Sequence, residues 1–441
     1  MRFQSPDRAA AALTRAALLI AAAIIVLSGG LLAQSAAPAP DTREAVRSAS
    51  GDRVAVPEPT PQALAYHHSG TMLWVFDTVW ALVLPAILLW TGLSARMRDW
   101  SARVGRRWFF VIAIYWIVFT VLTTAVDLPR VYYESFMRQH AYGLSNQTLG
   151  KWASDQAANL GVTLVIGALF LWVPYLLLER SPRRWWLYTT MLAVPFILLV
   201  QLITPLWIDP LFNRFGPMKD KALEAQILQL ADRAGIEGGR VFEVAKSEDT
   251  KAVNAYVNGF GATKRIVLWD TILKALDRPQ LMIVMGHEMA HYVLGHVWRL
   301  IGMGVATILL LLYAVYRISG ALIDRYAARF GFTTLADVAS LPLILLVAGV
   351  VSLVTDPIAL AYSRHLEHEA DRFALELTHD NHAAATAFVI LQQENLGVPR
   401  PGWLYTWFRE NHPPLGERID FSNDYRPWET NQPPVYADRF K

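Results

Sequence analysis

Long apolar runs alternate with short polar stretches along this chain. Seven runs have the length that a helix needs to cross a hydrocarbon core of about 30 Å, and they fall near residues 13–33, 71–93, 108–126, 160–178, 185–207, 298–316 and 341–361. The pattern predicts a predominantly α-helical polytopic membrane protein with about seven transmembrane helices. Only 17% of the residues are charged, against about 25% in soluble proteins, which supports the same class.

The first apolar run has two interpretations. It follows a basic start and precedes small residues suited to cleavage, so residues 1–34 are either a first transmembrane helix or a signal peptide. Residues 35–66 are rich in Ala, Pro and Ser and are expected to be a flexible linker. Residues 67–207 then form an amino-terminal membrane module.

About ninety residues between the fifth and sixth runs have a different character. The stretch "KDKALEAQILQLADRAGI" spaces its apolar residues as an amphipathic surface helix does. The short β-branched runs "GRVFEV" and "KRIVLWD" are expected to be strands. A small α+β domain is therefore predicted over residues 208–441, interrupted by two transmembrane helices at about 298–316 and 341–361.

Charge and cysteine content narrow the function further. The net charge is only +3 and the basic residues form no single patch, so nucleic acid is not an expected partner. There is no cysteine, so a metal would have to be held by His, Asp or Glu. Thirteen arginines lie in the short loops on the amino-terminal side, against six basic residues opposite. This bias places the soluble parts outside the cytoplasm. The signal-like start and the Ala/Arg-rich usage favour a bacterial inner membrane.

The stretch "GHEMAHYVLGH", residues 286–296, contains the strongest chemical motif. Histidines four residues apart share one face of a helix, so His287 and His291 can bind the same zinc ion. Glu288 lies beside the first histidine, where it can act as general base on a zinc-activated water. A structural histidine pair is the alternative.

A catalytic zinc site needs a third protein ligand. His296 does not fit the metzincin spacing, so a polar residue at the membrane interface is expected there. Better candidates lie in "SRHLEHEAD", residues 363–371, because two membrane crossings return the chain to the side of the zinc helix. Glu367 and Asp371 share one helix face, while His365 and Glu369 share another. A surface salt-bridge cluster with Arg364 and Arg372 is the simpler alternative.

Taken together, the motifs resemble the type I CAAX prenyl proteases, integral-membrane zinc metallopeptidases of the gluzincin kind. "HEMAHYVLGH" has the family's HExxH-x3-GH form and "SRHLEHEAD" its SRxxExxAD form. The resemblance implies that Glu367 is the third ligand of one zinc ion per chain and that Asp371 orients a ligand. The stretches "DPLFNRFGPMKD", "NAYVNGFGATKRIVLWDTIL", "DLPRVYYESF", "YGLSNQT" and "NHPPLGER" are also similar to segments of the family.

Further roles follow from the same resemblance alone. It implies a ring of helices around a water-filled chamber, with Asn254 binding the substrate backbone. His412 and Arg418 would stabilise the oxyanion of the tetrahedral intermediate. The family's prenylated substrates are cytosolic, whereas the arginine count places the active side outside the cytoplasm.

The sequence therefore predicts a membrane zinc metalloendopeptidase (EC 3.4.24) that resembles the enzymes trimming the C-terminal residues of prenylated CAAX proteins. Its expected partners are membrane lipid and a peptide or protein substrate, lipidated or membrane-associated. One alternative is a quality-control protease with the same zinc site, which cuts damaged membrane proteins. The other is a non-catalytic chamber protein, in which ionisable residues such as Asp77 line a pathway.

Overall fold

The structure is a computed structural model that describes residues 53–236, 240–258 and 265–441. Within these ranges six helices are long and apolar enough to cross a membrane. They correspond to the second to seventh apolar runs, so the predicted helical membrane architecture is confirmed. The first run and the linker up to residue 52 lie outside the described residues.

The amino-terminal half is entirely helical in the described part. Its main helices are α1 (Pro61–Trp90), α2 (Leu93–Gly105), α3 (Trp108–Tyr132), α4 (Leu149–Phe170), α5 (Trp172–Arg180) and α6 (Trp185–Ile203). Two of them extend through a π-turn into a last helical turn: α3 through Tyr133–Met137 and Arg138–Ala141, and α6 through Thr204–Ile208 and Asp209–Phe212. Large side chains such as Tyr115, Tyr175 and Trp185 are fully buried where these helices pack.

Helix α1 begins earlier than its apolar residues do. Thr60 caps the helix, since its hydroxyl accepts a hydrogen bond from the Ala63 N–H at 3.1 Å, and Pro61 suits the first turn. Residues 61–66 are therefore helix, and the expectation of a flexible linker there is wrong. Val54 is also held in place, because its N–H and carbonyl both bond to the Asn423 side chain at 3.0 and 2.9 Å.

A small mixed sheet follows the first six helices. Strand β1 (Phe215–Pro217) and helix α7 (Lys221–Arg233) precede the strands β2 (Arg240–Val244), β3 (Ala255–Asn258) and β4 (Arg265–Trp269). The strand order is β1-β2-β4-β3. The two predicted strands, β2 and β4, pair in parallel with Val241 opposite Ile266, and β3 runs antiparallel to β4. The amphipathic helix α7 buries Leu223, Ile227 and Leu230 in the core beside the sheet.

The remaining helices build the site and cross the membrane twice. They are α8 (Asp270–Ala275), α9 (Arg278–Val293), α10 (His296–Phe330), α11 (Leu341–Thr378), α12 (Asn381–Glu394), α13 (Trp403–Arg409) and α14 (Leu415–Asp424). Single 3₁₀ turns lie at Lys246–Glu248, Val338–Ser340, Pro427–Glu429 and Ala437–Arg439.

Helices α9 and α11 pack closely side by side. A Cβ atom on Gly286 would lie only 3.3 Å from the Cα of Ala374, so the glycine permits the close approach. Helix α10 carries the chain away and α11 returns it, and the last third of α11 therefore lies along α9. The two membrane-spanning helices therefore bring the motif at residues 363–371 back to the motif at residues 286–296, as expected from the sequence.

Candidate metal centre

Two histidines of α9 and one glutamate of α11 converge on a single point. The Nε2 atoms of His287 and His291 are 3.2 Å apart. One Glu367 oxygen lies 3.0 Å from His287 Nε2, and the other lies 3.5 Å from His291 Nε2. Tetrahedral zinc with bonds of about 2.0–2.2 Å separates neighbouring ligand atoms by about 3.3 Å. The three groups therefore have the spacing to hold one metal ion.

The local sequence explains why α9 is a firm base for the histidines. Asp277 and Gln280 form a reciprocal capping box, with both bonds at 3.0 Å. Such a box satisfies two N–H groups that would otherwise lack partners at a helix start. The following turns bury Met285 and Met289 completely, which fixes the opposite face of α9. The ligand face is therefore held in one orientation.

The second ring nitrogen of His287 is held by a buried ion pair. His287 Nδ1 lies 2.8 Å from Asp371, and Arg418 binds the same carboxylate through two bonds of 2.6 and 2.8 Å. The Arg418 guanidinium also lies over the Phe388 ring, 4.0 Å from its centroid. An outer carboxylate of this kind fixes the tautomer and the orientation of a ligand histidine.

The protonation of the site depends on these contacts. Burial lowers the pKa of His287, but its hydrogen bonds to Asp371 and Glu367 outweigh burial and raise that pKa to about 10. Burial and the neighbouring His287 lower the pKa of His291 to about 3. A ligand histidine must be deprotonated at the nitrogen that binds the metal, so metal binding would displace a proton from His287.

His296 lies closer to the site than its spacing suggested. Its side chain is fully buried, with Nδ1 3.0 Å from Nδ1 of His291 and Nε2 3.4 Å from Glu369. His296 is the first residue of the membrane-spanning helix α10, and the turn at Gly295, where φ is 67°, brings its side chain against His291. Ligand spacing considers only direct contact with the metal. Asking also which residues could hydrogen-bond to a ligand histidine would have included His296.

The rival candidates on α11 face elsewhere. Glu369 pairs with Arg299 at 2.7 Å, and His365 is exposed, 4.0 Å from Glu369. The Arg364 guanidinium donates to the backbone carbonyls of Thr406 and Glu410. Neither the His365–Glu369 pair nor a salt-bridge cluster through Arg364 takes the place of Glu367 and Asp371 beside the histidines.

His287 opens onto a cavity of about 520 Å³. Its lining includes four further residues singled out from the sequence: Asn254, Glu288, His412 and Arg418. The Nε2 atom of His412 lies 3.1 Å from Glu367, and burial lowers the pKa of His412, which favours a neutral ring. Burial raises the pKa of Glu288 to about 7, the range of an effective base near neutral pH.

Both halves of the chain are similar to known protein families. Residues 56–214 match the CAAX prenyl protease N-terminal family of five membrane helices, and residues 217–424 match peptidase family M48. An uncharacterized metalloprotease of Bacillus subtilis, YhfN, is 37% identical over 385 residues, covering 85% of this chain and 88% of its own. The fold and the comparisons together define a metalloprotease that spans the membrane several times and acts on peptide bonds.

More distant relatives are named for their substrates. A CAAX prenyl protease 1 homolog of Dictyostelium discoideum is 28% identical, covering 80% of this chain and 82% of its own. CAAX prenyl protease 1 of Saccharomyces cerevisiae is 27% identical, covering 68% and 69%. The crystal structure of S. mikatae Ste24p has the same fold, with a TM-score of 0.73 at 21% identity over 96% of this chain and 100% of that one. The chain belongs to the M48 family of metallopeptidases, in its type I CAAX prenyl protease branch.

Proposed function

We propose that this protein is a zinc metalloendopeptidase whose single zinc ion is held by His287, His291 and Glu367. The observation that carries the proposal is the convergence of three side chains at the wall of a cavity. The two histidine Nε2 atoms lie 3.2 Å apart, and each is within 3.5 Å of one of the two Glu367 oxygens. A set of two histidines and one carboxylate favours zinc, and it leaves the fourth position open. Residues 208–441 would form the peptidase domain, and residues 67–207 the membrane module.

Glu288 is the proposed general base. Zinc, when bound, lowers the pKa of a water molecule and polarises the substrate carbonyl. The Glu288 carboxylate then takes a proton from the attacking water and gives it to the nitrogen of the leaving amine. A carboxylate whose pKa lies near 7 can do both near neutral pH.

The remaining residues position and stabilise. Asp371 holds Nδ1 of His287, and Arg418 holds Asp371, since its two shortest bonds go to that carboxylate. These contacts support a positioning role for Arg418 rather than the oxyanion role expected from the family. His412 Nε2 is the better placed oxyanion donor, because it lies beside Glu367. Asn254, at the start of β3, would bind the substrate backbone.

The proposed substrate is a membrane-associated peptide of the CAAX type, as the names of the relatives suggest. The proposed location is a bacterial inner membrane, in line with the similarity to a Bacillus subtilis protein. The arginine bias places the catalytic side outside the cytoplasm, where prenylated proteins are not expected. That bias favours the second candidate function, cleavage of damaged membrane proteins.

The chemistry is tested with the full chain in detergent. Metal content is measured by mass spectrometry, and peptide cleavage is compared between the wild type, Glu288→Gln and the surface control Glu224→Gln. We expect about one zinc per chain in all three proteins and a loss of cleavage of about 10²–10⁴-fold only in Glu288→Gln. Equal cleavage by all three proteins, or no bound metal, would contradict the proposal.

The two substrate classes are separated by a pair of peptides. One peptide carries a farnesyl group and its twin lacks it. A preference for the farnesylated peptide supports CAAX-type specificity, and equal cleavage supports the quality-control function. The zinc chemistry stands in either case.

A further inference from the structure

A second part of the cavity wall, which we call the opposite wall, carries two guanidinium groups that the proposed chemistry does not use. Arg138 comes from the last turn of the α3 extension and Arg409 from the end of α13, and both line the same cavity as His287 and Glu288. Among the residues that the structure describes, no carboxylate lies within 4.0 Å of either group. This is unusual, because buried cations in proteins are normally paired.

Both groups are held in place by uncharged contacts. Arg138 is only 4% exposed. It donates to the Tyr66 carbonyl at 2.7 Å and to the Ser69 hydroxyl at 3.1 Å, which uses two of its five N–H groups. Arg409 lies over the Tyr405 ring, 4.8 Å from the centroid. Its Nη1 is buried without a hydrogen-bond partner in the described ranges. N–H groups therefore remain free for a ligand.

A gap between the two cations is kept open by Gly70. A Cβ atom built on this residue of α1 would lie 3.0 Å from Nη2 of Arg138 and 3.8 Å from Nη1 of Arg409. Both guanidinium groups thus reach the same point, from which a side chain is missing. A planar carboxylate is the group that guanidinium pairs bind best, through short charge-assisted bonds.

The acidic residues of the same wall do not fill this gap. Glu134 pairs with Arg130 at 3.2 Å. Glu410 follows Arg409 directly, but burial raises its pKa to about 7, so much of it is uncharged at neutral pH. Neither acid forms an ion pair with Arg138 or Arg409 among the described residues, so the protein's own carboxylates leave the gap empty.

The distance to the metal centre suits the end of a peptide. Arg409 and His412 are three positions apart in the sequence, so their Cα atoms are at most about 11 Å apart, and His412 lies beside Glu367. A few extended residues of a bound peptide cover the same distance at about 3.3–3.6 Å each. A chain end held at the guanidinium pair would place a nearby peptide bond at the histidines.

We propose that Arg138 and Arg409, separated by Gly70, form a subsite for the C-terminal carboxylate of the substrate. The inference rests on the proposed peptidase function and specifies its substrates as chains with a free C-terminus. The new element is the assignment of these residues, which would fix the distance of the cut from the chain end.

The test compares a farnesylated peptide that ends in a free carboxylate with the same peptide ending in a carboxamide. The full chain in detergent is used as wild type, Arg409→Gln, Gly70→Ala and the control Arg103→Gln. Arg103 lies on α2, beyond the far end of α1, and outside the cavity. Gly70→Ala fills the gap without removing a charge, and alanine favours the helical conformation of α1.

We expect kcat/KM of the wild type to be at least about tenfold higher for the carboxylate than for the carboxamide. Arg409→Gln and Gly70→Ala should reduce this ratio to about one, chiefly by slowing the carboxylate peptide, and Arg103→Gln should keep it. A peptide lengthened at its C-terminus should yield a released fragment of the same length, because the cut follows the chain end. A wild-type ratio near one, or a ratio that neither cavity variant changes, overturns the subsite.

Failure of the subsite and failure of the peptidase function are distinguishable. If the wild type cleaves both peptides equally and Glu288→Gln cleaves neither, the subsite is contradicted and the peptidase function is supported. If neither peptide is cleaved, the peptidase function fails, and fluorescence anisotropy with labelled peptides still decides the subsite. Equal Kd values for the carboxylate and the carboxamide peptides would then overturn it.

Discussion

The two walls of the cavity differ in how their charged side chains are paired. On the histidine wall the chain neutralises its own charges: Asp371 lies between His287 and Arg418 at hydrogen-bonding distances. On the opposite wall Arg138 and Arg409 have no carboxylate partner among the described residues. The charged groups of the first wall are paired before a substrate binds. Those of the second wall have free N–H groups, to which we propose that a substrate carboxylate binds. The comparison separates residues that build the site from residues that select what enters it.

The largest effect is expected from loss of a ligand. His291→Ala removes one of the three proposed ligands, so zinc affinity should fall by more than the roughly 100-fold that loss of an outer partner costs. Cleavage should fall to the level of Glu288→Gln, measured together with bound zinc after dialysis. Retention of one zinc per chain by this variant would show that the metal is held elsewhere.

The second largest effect is expected on stability, from breaking the ion pair between Asp371 and Arg418. Arg418→Gln removes the guanidinium that binds the buried Asp371 carboxylate through two bonds and leaves it only the contact with His287, so the loss should approach the roughly 3–5 kcal/mol typical of a broken buried ion pair. Thermal unfolding in detergent and zinc titration would measure the loss of stability and of metal affinity. The double variant Asp371→Asn with Arg418→Gln removes both charges and should recover part of the stability. A double variant no more stable than Arg418→Gln would contradict the pairing.

A smaller, pH-dependent effect is expected at Glu410 on the opposite wall. Burial raises its folded pKa to about 7 above an unfolded value of about 4.3. The folded state therefore binds the proton more tightly, and stability falls as pH rises from about 4 to about 7. Glu410→Gln removes this loss, so it should raise the unfolding midpoint by a few degrees at pH 8 and by much less at pH 5. A gain of equal size at both pH values would contradict the assignment.

The smallest effect is expected at His365. Its side chain is exposed and lies 4.0 Å from its nearest acid, Glu369, on the face of α11 that turns away from the metal centre. His365→Ala should change stability by less than about 0.5 kcal/mol and leave zinc content unchanged. A clear loss of zinc would mean that α11 presents a different face to the histidines.

The sequence predicted the histidine wall much better than the opposite one. Helical periodicity alone places His287 beside His291, and two apolar crossings explain how Glu367 returns to them. The start of α1 was not predicted because its first turns include several polar residues, and of these turns Tyr66 and His67 line the cavity. High hydropathy marks helix turns that face lipid. A turn whose side chains face a water-filled cavity is more polar, so hydropathy does not detect it.

Arg138 and Arg409 could not have been paired from the sequence. They come from different halves of the chain, and no periodicity or spacing relates them. What joins them is the absence of a side chain at Gly70, which only a three-dimensional structure reveals. The contact between His296 and His291 was not predicted for a related reason: it depends on the turn that follows α9, which brings the two rings together.

The separation of the ligands along the chain also has a consequence for biosynthesis. A ribosome that has reached residue 366 has already made both histidines and the base, but Glu367 is still missing. Arg418 emerges later still, after the last crossing has left the ribosome. If the proposed ligands are correct, the nascent chain stays inactive until both membrane crossings between the histidines and Glu367 have been made.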